Sequence, residues 1–190
     1  MIADGIWREV YDSDPAIIYA LDQELRFVRC NPAWDRFARD NGNAELTGSS
    51  VLGTCITDVT PNVLRDFYCT AYASVRKFQR QWWHVFDCSS SEMFRSFQMR
   101  VLPAASDRIL VVNTPICEEP HQRQIAARIE EYTDADGVAT LCANCRRVEH
   151  LTQPGRWDWM PLLLGLSGTL VQPGLCPFCC AYHYPGRARR

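Results

Sequence analysis

The alternation of hydrophobic and polar residues predicts strands through much of the first 120 residues. Two short apolar runs lie on either side of the polar corner Asp22-Gln23-Glu24 and predict a β-hairpin. Three further runs predict the strands 79–88, 93–102 and 108–114. In the middle run Phe97, Met99 and Val101 alternate with polar residues, which is typical of an antiparallel sheet with one apolar and one partly polar face.

Helical periodicity separates the hairpin from the later strands. Asn31 and Pro32 follow the hairpin and predict a helix start, with Asn31 as the capping residue and Pro32 at the first helical position. The stretch 40–53 is rich in Asn, Gly and Ser and predicts a loop with at most one short helix. Residues 63–77 predict the main helix, because their apolar members form one stripe: Val63, Leu64, Phe67, Tyr68, Ala71, Tyr72 and Val75.

The resulting element order resembles the PAS fold, an α+β fold with a five-stranded antiparallel sheet and flanking helices. The residues that carry the resemblance are Asp14-Pro15-Ala16-Ile17-Ile18-Tyr19, Phe27-Val28-Arg29-Cys30-Asn31-Pro32-Ala33-Trp34 and Asn113-Thr114-Pro115-Ile116. We therefore expect a PAS-like domain at residues 1–117. The resemblance implies that this domain senses a signal or binds a small-molecule ligand.

Candidate ligand-pocket residues of this domain are Arg65, Tyr68, Cys69, Tyr72, Trp83 and Phe97. The alternative for the aromatic members is an ordinary place in the core. Flavin photochemistry is not expected, since the Asn-Cys-Arg-Phe-Leu-Gln stretch of flavin-binding relatives does not occur. Haem is a weaker candidate, because the helix 63–77 contains no His and leaves Tyr68, Cys69 and the strand residue His84 as the nearest ligands.

Two Cys-x-x-Cys motifs predict a metal site in the last third of the chain. Cys142 and Cys145 form the first, Cys176 and Cys179 form the second, and thirty residues lie between them. Four thiolates suit the tetrahedral coordination of Zn²⁺ and leave no open position for a substrate, so we expect structural zinc. The alternatives are buried cysteine pairs or a disulfide, and Cys180 competes with Cys179 as fourth ligand.

The same region resembles a cysteine-rich C-terminal extension of bacterial PAS and response-regulator proteins. The matching residues are Cys142-Ala143-Asn144-Cys145-Arg146-Arg147-Val148, Gly155-Arg156-Trp157, Gly174-Leu175-Cys176-Pro177-Phe178-Cys179 and Tyr184-Pro185. The relatives carry a His before the second motif, where this chain has Gln172-Pro173. We expect a connecting helix within 118–137 and a zinc-binding extension at 138–190. The apolar stretch 157–170 predicts a hydrophobic docking surface.

Composition and charge narrow the function further. The 190 residues are 47% hydrophobic and 22% charged, and 20 Lys and Arg oppose 22 Asp and Glu, so bulk charge does not favour nucleic acid or an anionic membrane. Ten cysteines, five of them scattered, suit a reducing cytoplasm, and neither a signal peptide nor a membrane span is evident. No nucleophile, base and orienting group stand at recognisable spacing, so we expect no enzyme activity.

We therefore predict a stand-alone cytoplasmic sensory module, without a membrane-bound part, that forms a homodimer and relays a signal to a downstream protein. One alternative is an RNA- or DNA-binding regulator that uses Arg146, Arg147 and a basic tail containing Arg187, Arg189 and Arg190. The other alternative is a thiol redox switch at the two cysteine motifs.

Overall fold

The computed structural model describes residues 10–41, 43–121, 128–164 and 171–186. They form two compact units, and each unit is assembled from separate stretches of the chain. The first unit draws on residues 1–60, 68–85 and 97–116, and the second on residues 61–67, 86–96 and 117–190. The boundaries predicted from sequence, at 117 and 137, place the second unit in the C-terminal third alone and remain a prediction.

The predicted five-stranded antiparallel sheet is confirmed. Its strands are β1 (Ile17–Leu21), β2 (Phe27–Cys30), β3 (Trp82–Asp87), β4 (Met93–Ala104) and β5 (Arg108–Pro120), in the order β2-β1-β5-β4-β3. The hairpin pairs Tyr19 with Cys30, and β1 pairs with β5 in a register that sets Tyr19 opposite Val111. Its two outer strands are therefore β2 and β3.

Four helices follow β2 and precede β3. They are α1 (Pro32–Asp40), α2 (Gly48–Val51), α3 (Ile56–Val59) and α4 (Asn62–Phe78). The apolar stripe predicted for α4 is confirmed, because Leu64, Tyr68, Ala71, Tyr72 and Val75 are all buried. Helix α4 is thus amphipathic, with one face packed and basic residues in its last turn.

Asn31 has a different role from the one predicted. It precedes α1 at the N-cap position, with Pro32 at the start of the helix, but its side chain makes no capping bond. Instead its Oδ1 accepts a hydrogen bond from the Ile18 N–H at 3.0 Å, and its Nδ2 donates to the Ala16 carbonyl at 2.9 Å and the Tyr11 carbonyl at 3.0 Å. Because Asn31 is only 2% exposed, it satisfies buried backbone groups that the sheet leaves unpaired.

The centre of the sheet is buried on both faces. On one face Ile18 lies opposite Val112, and Ala20 lies opposite Leu110, with Tyr11 packed against this cluster. On the other face Leu21 and Ile109 are fully buried. The expectation of one partly polar face therefore fails for β1 and β5, although Phe97, Met99 and Val101 of β4 are buried on one face as predicted.

The second unit contains shorter elements. After a 3-10 turn (Ile129–Glu131) come β6 (Ala139–Cys142), β7 (Val148–Glu149), β8 (Trp157–Asp158), α5 (Pro161–Leu164), β9 (Val171–Gly174) and α6 (Pro177–His183). The strands form a four-stranded sheet in the order β8-β7-β6-β9. Its apolar core comprises Tyr132, Ala139, Leu141, Val148, Met160, Leu163 and Leu164.

The described part of the apolar stretch, residues 157–164, contributes mainly to the core of its own unit. Met160 and Leu163 are fully buried among the strands of their own unit, and only Leu162 of α5 is exposed. Residues 165–170 lie outside the described residues. A unit with such short strands needs this stretch to complete its core, which explains its composition.

Residues 122–127 of the predicted connecting helix lie outside the described residues. Strand β5 continues to Pro120, residues 122–127 are not described, and the 3-10 turn follows at Ile129–Glu131. Among the described parts of the chain, no helix has the length and hydropathy needed to cross a membrane.

Candidate metal centre

The two cysteine motifs are brought together by a parallel strand pair. Strands β6 and β9 run side by side in a register that sets Ala139 opposite Val171 and Cys142 opposite Gly174. Both motifs therefore leave the sheet at the same end, although thirty residues separate them in sequence. The Ala143 N–H donates to the Gly174 carbonyl at 2.9 Å and extends the pairing into the first motif.

Gly174 allows this close approach. A Cβ at position 174 would lie 2.6 Å from Cγ2 of Thr140 and 3.3 Å from Cη2 of Trp157. Both distances are shorter than ordinary carbon–carbon contacts of about 3.5–4.0 Å. A glycine is therefore required where the second motif approaches β6.

The first motif closes as a tight turn. The Arg146 N–H donates to the Cys142 carbonyl at 3.0 Å, and the Cys142 N–H donates to the Arg147 carbonyl at 2.7 Å. Arg146 adopts the left-handed backbone conformation, with φ of 59°. A residue with a Cβ pays about 1–2 kcal/mol for that conformation relative to glycine. The turn directs both sulfur atoms of the motif to one side.

The second motif begins helix α6. Cys176 occupies the N-cap position, and its Sγ accepts a hydrogen bond from the Cys179 N–H at 3.4 Å. Pro177 starts the helix, where a missing N–H leaves no hydrogen bond unmade. Cys176 and Cys179 thus lie on the first turn of α6 with their sulfur atoms close together.

The four sulfur atoms form a compact group, which we call the cysteine quartet: Cys142, Cys145, Cys176 and Cys179. All four Sγ atoms lie within 4.8 Å of one another, and those of Cys145 and Cys176 are 3.8 Å apart. A tetrahedron of sulfurs about 2.3 Å from a zinc ion has edges of about 3.8 Å. The quartet therefore has the donor type and spacing that a thiophilic dication requires.

The sulfur distances also bear on the disulfide alternative. All ten cysteines are free thiols, and 3.8 Å between sulfurs exceeds the disulfide bond length of about 2.05 Å. Cys180 is not part of the quartet. It lies on α6 beside Cys179, and its N–H donates to the Cys176 carbonyl at 2.8 Å.

The quartet has strongly coupled protons when no metal is bound. Hydrogen bonds from Cys145, Cys176 and Cys179 lower the pKa of Cys142 well below its ordinary value. Cys142 therefore favours the thiolate form, hydrogen-bonded by the protons of the neighbouring thiols. A dication replaces these protons, so metal affinity falls as the pH is lowered.

The end of β3 and the strand-connecting turn after it pack against the first motif within the second unit. The Asp87 N–H donates to the Asn144 carbonyl at 2.9 Å, and the Asn144 side chain donates to Sγ of Cys179 at 3.6 Å. Burial raises the pKa of Asp87, against a hydrogen bond from Ser96 and the charge of Arg147. An open groove of ≈ 420 Å³ lies alongside, and its lining includes Cys145 and Cys179. Two of the four cysteines of the quartet therefore border a groove that opens to solvent.

Helix α6 is held by the first turns of α4, whose residues 61–67 belong to the same unit. The Tyr184 hydroxyl donates to the Val63 carbonyl at 2.7 Å. The ring of His183 meets the ring of Phe67 edge to face, with centroids 4.3 Å apart. These contacts fix the helix that carries Cys176 and Cys179, whereas residue spacing placed Val63 and Phe67 on the apolar stripe of α4 without indicating that they contact α6.

The candidate ligand-pocket residues of the first unit fall into different environments. Tyr68 and Tyr72 stack on α4 with ring centroids 6.1 Å apart, and both are buried. Phe97 is buried on β4 against the ring of Phe37, and Cys69 is half-buried. Burial raises the pKa of Tyr68 and Tyr72, so both remain neutral phenols.

Two of the predicted pocket residues lie elsewhere. Trp83 is 60% exposed on β3, because the alternation along that strand turns Trp83 outward and His84 inward. Arg65 is exposed on α4 and belongs to the second unit. A pocket made of the six residues together is therefore not formed within the first unit.

Sequence reasoning missed the polar groups that accompany Tyr72. The Tyr72 hydroxyl and the Asn113 side chain both hydrogen-bond to the Tyr19 hydroxyl, and burial raises the pKa of Tyr19. His84, considered above only as a haem ligand, is 1% exposed and stacks on Trp82 with centroids 5.6 Å apart. The alternation of β3 carried a signal for His84, whereas β1 and β5 are continuously buried around Tyr19 and Asn113 and gave none.

The arginines that were predicted to bind nucleic acid differ in their exposure to solvent. Arg147 is exposed, but Arg146 is mostly buried beside the quartet. Residues 187–190, which include Arg187, Arg189 and Arg190, lie outside the described residues. Among the described arginines of this set, only Arg147 is placed to contact a phosphate.

Family models and curated proteins give no match, whereas solved structures do. No protein-family model matches the chain, and no curated protein matches it. The PAS domain of BvgS from Bordetella pertussis is 21% identical, with a TM-score of 0.48, over 60% of this chain and 87% of that one. The photoactive yellow protein domain of the sensor histidine kinase Ppr from Rhodospirillum centenum is 18% identical, with a TM-score of 0.42, over 58% of this chain and 94% of that one.

A domain of a sensory box sensor histidine kinase/response regulator from Geobacter sulfurreducens is also similar. It is 13% identical, with a TM-score of 0.43, over 57% of this chain and 90% of that one. Structural neighbours of this chain include PAS domains from bacterial sensor proteins. The five-stranded antiparallel sheet with its flanking helices matches a PAS fold, and the chain adds a four-cysteine cluster near its C-terminal end.

Proposed function

We propose that the protein is a cytoplasmic sensory module in which a PAS-fold unit detects a signal and a zinc-containing unit relays it to a partner protein. The zinc is structural, held by Cys142, Cys145, Cys176 and Cys179. The active form is a homodimer without enzyme activity. The reducing cytoplasm suits a chain whose ten cysteines are all free thiols.

The main support for this proposal is that one chain combines the cysteine quartet with a PAS-fold sheet. Four sulfurs within 4.8 Å of one another fill a tetrahedral coordination shell and leave no position for a substrate. Such a shell supports folding rather than catalysis.

A relay function is supported by the way in which the chain is divided. Helix α4 contributes residues 61–67 to the second unit and its later residues to the first. Strand β3 likewise begins in the first unit and ends in the second. A displacement of either element in response to a ligand therefore changes residues of both units, which is the requirement for coupling two sites.

Metal analysis tests the zinc site. We expect the purified protein to contain one zinc ion per chain, and C142S and C176S to lose it. C180S is the matched control, since Cys180 lies on the same helix but outside the quartet, and it should retain the ion. Wild-type protein without zinc, or full zinc retention by both quartet variants, would refute the proposed site.

The sensory role has its own test. Native mass spectrometry and absorbance spectra of the purified protein should reveal a dimer and any bound small molecule, including haem. A ligand present at a hundred times its dissociation constant should raise stability by about 2.7 kcal/mol in a thermal-shift screen. A strictly monomeric protein that neither carries nor responds to any ligand would contradict the sensory proposal, whatever its zinc content.

A further inference from the structure

Arg146 occupies a backbone position that favours glycine. Its φ of 59° lies in the left-handed region, and the turn that closes the first cysteine motif requires this conformation, because the Arg146 N–H bonds to the Cys142 carbonyl. Glycine adopts the left-handed region without steric penalty. An arginine here is therefore disfavoured by the backbone alone and calls for a compensating role of its side chain.

The Arg146 side chain turns inward although the next residue, Arg147, is exposed. Its Nε atom is buried and has no hydrogen-bond acceptor among the described residues. Burial lowers the pKa of Arg146, and the nearby sulfurs of Cys88 and Cys142 act in the opposite direction by favouring the charged guanidinium. A buried cation without a counter-charge is strongly unfavourable, so its partner must carry negative charge.

The cysteine quartet supplies that charge when a metal is bound. Four thiolates around a dication have a net charge of −2, held in a site where three of the four cysteines are buried. Such a site is stabilised by a positive group fixed close to the sulfurs. Arg146 directly follows Cys145 and is the buried cation of the turn.

We propose that Arg146 is a positioning residue of the metal site, whose buried positive charge offsets the net negative charge of the metal-bound quartet and so raises its affinity for a dication. This inference rests on the zinc site proposed above. The role is one of charge rather than of paired hydrogen bonds, since Nε has no acceptor among the described residues. A lysine at position 146 should therefore preserve the affinity for the metal, whereas a glycine or a methionine should lower it.

Zinc affinity of the full-length variants tests the proposal. Each protein competes for zinc with a chromophoric chelator at neutral pH, and circular dichroism at saturating zinc confirms the fold. We expect R146M and R146G to bind zinc roughly 10–100-fold more weakly than wild type, the usual effect of removing a group that supports metal ligands. R146K should bind zinc with an affinity close to that of wild type.

R146G separates charge from backbone strain. It relieves the left-handed conformation, so a purely conformational role predicts equal or tighter zinc binding, and that result would overturn the proposal. R147M is the matched control, because it removes the same charge from the adjacent exposed residue and should change the affinity little. Equal losses in R146M and R147M would also overturn the assignment.

If R146M and R146G do not fold, R146K alone still tests whether the charge of Arg146 matters. A tenfold weaker affinity in R146K would contradict a role based on charge, whereas near wild-type affinity supports it. The outcome is separable from that of the proposed function. Wild-type protein that binds no zinc refutes the site itself, while a zinc-binding wild type with unaffected R146M and R146G refutes only the role of Arg146.

Discussion

The two units of this chain are stabilised in different ways. The first contains most of the 13-residue strand β5 and most of the 17-residue helix α4, so their apolar residues bury a large core. The second has strands of only two to four residues and a small apolar cluster beside the cysteine quartet. Units with so little buried surface commonly depend on a metal or on disulfides for their stability.

The comparison shows that metal coordination in the second unit takes the place of the large buried apolar core that stabilises the first. In the first unit many weak contacts add up, and the loss of one is tolerated. In the second, the proposed zinc ion joins two motifs that are thirty residues apart, so loss of this one ion removes the main link between them. The two units should therefore respond differently to chelation and to substitution.

Zinc removal should have the largest effect and should be confined to the second unit. Structural zinc contributes about 10–16 kcal/mol in zinc-finger peptides, more than the whole stability of a typical domain. The groove beside Cys145 and Cys179 gives a small chelator access. We expect hydrogen exchange to accelerate in 139–149 and 171–183 after chelation, while 17–21 and 109–113 stay protected.

Readdition of zinc is the control for that experiment and should restore protection in the second unit. Equal loss of protection in both units would show that they do not differ in their dependence on metal. Unchanged protection in both after complete zinc removal would show that the apolar cluster around Leu141 and Met160 is sufficient for the second unit.

N31A should produce the next largest effect, and only in the first unit. The substitution leaves the buried Ile18 N–H and the Ala16 carbonyl without their hydrogen bonds. Unsatisfied buried groups cost about 1–3 kcal/mol each, so we expect a loss of about 3 kcal/mol in the free energy of unfolding. N43A, at an exposed asparagine, is the control. Urea unfolding measures both, and equal stability of the two variants would contradict the role of Asn31.

G174A should have a smaller effect, in the second unit. The added Cβ meets Thr140 at 2.6 Å, and the β6–β9 pair that aligns the two motifs must shift. Overpacking of this kind costs about 1–3 kcal/mol, and we expect it at the lower end, because the Thr140 methyl group belongs to a side chain that can rotate. Zinc affinity should fall with it.

Q172A provides the comparison for G174A, since Gln172 lies on the same strand and is exposed. Competition with a chelator should show a weaker affinity for G174A only. If G174A and Q172A bind zinc as tightly as wild type, close approach at Gly174 does not control the geometry of the quartet.

Periodicity accounts for most of what was predictable about the first unit. The α4 stripe from Leu64 to Val75 and the buried face of β4 follow directly from residue spacing. The role of Asn31 was not predictable, because the sequence pattern Asn-Pro before a helix is the same for a cap as for a side chain that bonds backwards to β1. Trp83 was assigned to the wrong face for a related reason: two adjacent tryptophans alternate, and only the fold decides which one is inside.

The metal site was readable because its chemistry is carried by spacing. Two Cys-x-x-Cys motifs predict four ligands whatever the intervening fold, and the four sulfurs are indeed close together. The residues that hold the two cysteine motifs in place could not be recognised from sequence spacing. Asp87 and Phe67 contact other parts of the second unit although they lie far from the cysteine motifs in sequence. Arg146 cannot be told apart by sequence from its exposed neighbour Arg147.

The second unit is built from three separate stretches of the chain, which limits how it can be isolated or transferred to another protein. A fragment that starts after Ile116 lacks residues 61–67 and 86–96, and with them the carbonyl of Val63 and the backbone of Asp87 that hold the two motifs. Grafting the cysteine-rich tail alone onto another protein would transfer the sulfurs without their support. A working chimaera would have to inherit the start of α4 and the β3–β4 turn as well.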